Sequence, residues 1–63
     1  MNAYKVKFEG RKRTEHGIFY AIEENYHAAS ESDAKDKCLK DDRFELNHFI
    51  GEPELLATEE PTL

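Results

Sequence analysis

Sixty-three residues, 37% charged and 38% hydrophobic with no Trp and a net charge of −5, make one small acidic domain. A chain this short buries about 60% of its unfolded surface, which leaves no room for a substrate cavity of about 300 Å³ or more. Its single cysteine, Cys38, forms no internal disulfide, its first residues lack the apolar stretch of a signal peptide, and no apolar run approaches the ~20 residues of a membrane span, so a cytoplasmic protein is expected.

Residues 3–11 alternate cleanly, with Tyr4, Val6 and Phe8 on one side and Lys5, Lys7 and Glu9 on the other. Period two over this length predicts a half-buried strand. Residues 11–17 are polar or glycine throughout and form a loop. A second strand is expected over 18–28. Ile18, Tyr20, Ile22, Tyr26 and Ala28 share a parity that Glu24 interrupts, and Phe19 and Ala21 fall on the other side. The poor strand formers Glu23, Glu24 and Asn25 suggest a bulge there.

Ser30, followed by Glu31 and Asp33, predicts a capped helix start. The helix is expected to reach about Asp42. Ala34 and Cys38 lie four apart on its thin apolar stripe, with Leu39 beside them, so packing on the sheet must hold it. Phe44, Leu46, His48 and Ile50 alternate with Glu45, Asn47 and Phe49 as a third strand, closed by Gly51 and Pro53. Leu55 and Leu56 make a last contact. The domain is expected to span 1–56, and 57–63 to be a disordered acidic tail.

The order β-β-α-β, with a right-handed helical crossover, predicts an α+β fold. Its sheet has three strands in the order 2-1-3, with one helix on the Tyr4/Val6/Phe8 face. Strand one ends in Phe8-Glu9-Gly10-Arg11-Lys12-Arg13, Gly17-Ile18-Phe19 opens strand two, and Ala28-Ala29-Ser30 leads into a helix through Asp33-Ala34. In these features the chain resembles small β-β-α-β proteins encoded by bacteriophages and prophages. That resemblance implies an accessory or host-interaction role through protein binding, without catalysis, and carries no site residues.

Charge is segregated along the chain. Residues 1–13 hold five bases and one acid, and the remaining fifty hold four bases and thirteen acids. The expected contact surface is therefore the uncovered sheet face and adjoining loop: Lys5, Lys7, Arg11, Lys12, Arg13, Phe19 and Phe49. A protein partner, including a second copy, fits opposite charge on one chain and an exposed edge at strand two. Nucleic acid is the alternative, with aromatics stacking bases and cations tracking phosphates, against an acidic pI near 5.1. A second alternative is nucleic-acid mimicry by Glu31, Asp33, Asp36, Asp41, Asp42 and Glu45, although Asp33–Lys37 and Asp36–Lys40 spacing partly neutralises that row. His16, His27, His48 and Cys38 lack metal-ligand spacing, so no metal or other cofactor is expected. Cys38 lies on the apolar stripe and no carboxylate sits in a predicted cleft, so no catalytic residue is assigned.

Overall fold

The segment with the cleanest alternation becomes the hub of the molecule. In a computed structural model, which describes residues 1–58, β1 runs over Asn2–Lys12. It is followed by β2 (Tyr20–Ala28), α1 (Glu31–Leu39), β3 (Phe44–Phe49) and β4 (Glu54–Thr58). The sheet has the order β2-β1-β3, and β4 also pairs with β1. Every pairing is antiparallel. The expected order is therefore present, with four strands where three were expected.

The length of β1 explains the extra strand. Eleven residues span ~36 Å. β3 pairs only with the stretch from Phe8 to Lys12, which leaves the outward backbone groups at the start of β1 without partners. After β3 the chain continues along the same edge, and β4 pairs from Lys5↔Glu54 to Asn2↔Thr58. Ala57 and Thr58, placed in the tail by sequence, thus belong to a strand. The rest of that expected tail, 59–63, lies outside the described residues.

The β1–β2 register is unbroken from Asn2↔Ala28 to Gly10↔Tyr20. The bulge expected at 23–25 is absent, and Glu24 stays on the helix face because Arg43 reaches its carboxylate at 2.8 Å. β3 does carry a bulge. Gly10 pairs with Leu46 and Glu9 with His48, so Asn47 is the extra residue. Phe44, Leu46 and Phe49 consequently share the helix face. The core comprises Tyr4, Val6, Phe8, Ile22, Ala28, Ala34, Cys38 and Phe44, with Tyr26, Leu46 and Phe49 packed against it. Phe8 is fully buried and meets Phe44 edge to face, with centroids 5.5 Å apart.

α1 begins as its sequence suggests. The Ser30 hydroxyl accepts from the Asp33 amide at 3.2 Å, and the Asp33 carboxylate accepts from the Ala29 amide at 3.1 Å. The shorter aspartate thus completes a capping arrangement one residue ahead of the cap. Ala34 and Cys38 are the buried positions. The helix stops at Leu39, short of the expected Asp42. Asp41 turns the chain instead, its carboxylate accepting from the Arg43 amide at 3.1 Å. Among the described residues no helix is long and apolar enough to cross a membrane.

Candidate interaction surface

Among the described residues the sheet is covered on one face only. On the open face antiparallel register sets the polar side chains of β1 opposite those of its neighbours. Lys7 faces Glu23 and Lys5 faces Glu54, while Arg11 faces Glu45 and Glu9 faces His48. Distances follow the register. Lys7 Nζ lies 3.7 Å from Glu23, and Lys5 Nζ lies 4.0 Å from Glu23 and 3.8 Å from Glu54. Arg11 Nε donates to Glu45 at 2.8 Å, which holds that carboxyl below its ordinary pKa. Asn47, the bulge residue, donates to Glu9 at 3.0 Å. The guanidinium of Arg11 also lies 4.9 Å from the centre of the Phe19 ring.

The face expected to be basic is therefore a chequerboard. Its three cations stand among the four carboxylates of Glu9, Glu23, Glu45 and Glu54. Antiparallel pairing flanks the basic strand with acidic ones. Charges of both signs alternate across it.

The structure divides the seven residues assigned from sequence. Lys5, Lys7, Arg11 and Phe19 are together on the open face. Phe49 is not among them, because the Asn47 bulge resets its parity and seats it opposite Phe8. There it packs against the core, with Lys35 Nζ 5.6 Å from its ring centre. Lys12 pairs with Phe44 and so lies on the helix side of the sheet. Arg13 sits just beyond β1, where its amide donates to the Arg43 carbonyl at 3.1 Å.

A second polar group, not assigned from sequence, closes the helix side beside β2. The Tyr26 hydroxyl donates to Asp41 at 2.8 Å. Arg43 donates to Asp41 at 2.7 Å and to Glu24 at 2.8 Å, and its guanidinium lies 4.9 Å from the Phe44 ring centre. The Arg43 hydrogen bonds hold the Asp41 carboxyl well below the carboxylate range, with a smaller contribution from Tyr26. Burial, reinforced by the bond to Asp41, pushes the Tyr26 phenol up, and burial raises the Cys38 thiol. An open concavity of about 470 Å³, larger than the chain length leads one to expect because it is a surface hollow and not an enclosed cavity, adjoins this group, lined by Lys12, Thr14, Glu24, Arg43 and Phe44. Arg43 is already held there by two carboxylates. The sequence signal for this cluster was Glu24, an acid at an apolar parity position, which requires a cation from elsewhere.

The acidic row on α1 is laced as its spacing suggests, with Lys40–Asp36 at 2.9 Å and Lys37–Asp33 at 3.8 Å. Among the described residues no three of His, Cys, Asp and Glu converge as a metal-holding group. No family model, no curated protein and no solved structure matches this chain.

Proposed function

We propose that this is a small cytoplasmic accessory protein that works through protein–protein contact at the open sheet face, without catalysis. The observation that carries this reading is the chequerboard of Lys5, Lys7, Arg11, Glu23, Glu45 and Glu54 around the Phe19–Arg11 stack, left without a covering layer among the described residues. Neighbouring charges of both signs complement another protein's mixed surface better than a uniform phosphate backbone. Resemblance to phage- and prophage-encoded β-β-α-β proteins makes a host protein the class of partner.

The test is capture from a host lysate by the full chain and by a Lys5→Glu/Lys7→Glu variant, with circular dichroism to verify folding. A partner retained by the first and lost by the folded variant supports the reading. Capture indifferent to charge reversal overturns it. In parallel, labelled single-stranded DNA is titrated at low salt. Affinity that falls steeply with ionic strength would replace the protein partner with nucleic acid.

A further inference from the structure

We infer that β4 is a latch held through Lys5: it opens from β1 as a unit while the rest of the fold stays closed, and it opens more readily when Lys5 is engaged elsewhere. Lys5 belongs to the open sheet face, so the regulatory meaning of the latch rests on the reading above, whereas the opening itself does not.

Among the described elements β4 alone contains no buried residue. Leu55 and Leu56 are 52% and 43% exposed, and no β4 residue belongs to the core. Elements with little buried apolar surface are the first to open locally. β4 pairs with β1, and the register shift between Ala3 and Tyr4 interrupts that ladder. Among the described residues its side chains make one ion pair, Glu54 with Lys5 at 3.8 Å. Lys5 has a second carboxylate, Glu23, at 4.0 Å, so it loses little when Glu54 leaves.

The chain just before β4 is fixed. The Ile50 amide donates to the Lys7 carbonyl at 2.9 Å, Glu52 pairs with Lys35 of α1 at 2.8 Å, and Pro53 is buried. Anchored chain therefore gives way to lightly held chain between Pro53 and Glu54. β1 keeps its place without β4, because its register with β2 runs unbroken from Asn2 to Gly10. Opening takes Glu54 off the open face and bares the outward backbone groups of β1 from Asn2 to Lys5. A carboxylate that engages Lys5 from outside takes the place of Glu54. Engagement of Lys5 and opening of β4 then favour each other by the same factor.

Native-state hydrogen exchange of the full chain, read by NMR, tests the latch with no partner present. The slowest β4 amide is expected to exchange at least ~100-fold faster than the amides of Val6 and Phe8. Low urea should leave that rate unchanged, because local opening exposes little surface. Lys5→Gln should speed β4 exchange about two- to five-fold, while Lys7→Gln, whose parent side chain pairs with Glu23 and not with β4, should leave it unchanged. Exchange of β4 at the core rate, falling into step with the core in urea, would overturn the latch. Equal β4 exchange in the two variants would overturn its control by Lys5. Neither result depends on capture of a partner, so failure here is separate from failure of the open-face reading.

Discussion

Gly10 sits where β1 passes the bulged part of β3, and replacing it with alanine tests how closely those strands approach. A Cβ at this position would lie 2.5 Å from the Glu45 carbonyl oxygen and 3.0 and 3.1 Å from ring carbons of Phe8. Ordinary carbon–oxygen contacts start near ~3.3 Å, so the first of these is short by ~0.8 Å. Neither neighbour yields easily. The carbonyl belongs to a paired strand, and Phe8 is fully buried against Phe44. Gly10 has no positive φ, so the expected cost is steric and not conformational.

Overpacking of this kind costs about 1–3 kcal/mol, and the stiffer unfolded chain returns about 0.4–1 kcal/mol. The net loss for Gly10→Ala is about 1–2 kcal/mol, against a total of roughly 3–9 kcal/mol for a domain of this length. Thermal unfolding followed by circular dichroism should show a midpoint lowered by roughly 5–15 °C. A midpoint equal to or above that of wild type would refute the reasoning, because the strands would then separate without cost.

Three further outcomes are expected. The depressed folded-state pKa of Asp41 contributes stability that is present above its unfolded value and lost as pH falls through the folded one. Urea midpoints should therefore drop below pH ~4, and Asp41→Asn should lower stability at neutral pH and flatten that acid limb; an unchanged pH slope would remove Asp41 from the account. Ser30→Ala removes the hydroxyl that caps α1 and should cost about 1 kcal/mol in chemical denaturation, an effect absent if the cap were idle. Phe49→Ala should cost about 1–3 kcal/mol because the ring packs on the core, whereas Phe19→Ala, on the open face, should cost under ~1 kcal/mol. Equal effects of the two would return Phe49 to the open face.

Legibility from sequence tracked how local each determinant was. β1 shows a period of two in its own residues, and the Ser30 cap lies within three positions, so both were readable. The order 2-1-3 followed from one hairpin and one crossover. β3 misled because its alternation contains an insertion. Without Asn47, Phe44 to Phe49 alternates apolar and polar throughout, a pattern that would have revealed the side of Phe49. β4 was obscured because Leu55 and Leu56 are adjacent, one of them a bulge residue, and because its partner is the vacant half of a strand fifty residues earlier. The Tyr26–Asp41–Arg43–Glu24 group joins β2 to the turn after α1, a meeting that no window of local sequence contains.

The charge segregation along the chain acquires its meaning from strand pairing. A basic strand at the centre of a sheet needs acidic neighbours, and β2, β3 and β4 each supply a glutamate opposite a cation of β1. Exposed pairs of this kind contribute ~0–1 kcal/mol each, so they add little to stability. They distinguish registers instead. A slip of one residue would turn every core side chain to solvent and is excluded by hydrophobicity alone. A slip of two keeps each side chain on its face and is not excluded that way. Sliding β2 by two would set Lys7 against Ala21 or Asn25 in place of Glu23, and sliding β3 by two would take Glu45 from Arg11. The open-face charges therefore add to core packing in favouring the observed alignment over slips of two. Lys5, Lys7 and Arg11 are committed to that internal task, in a lattice already close to balance.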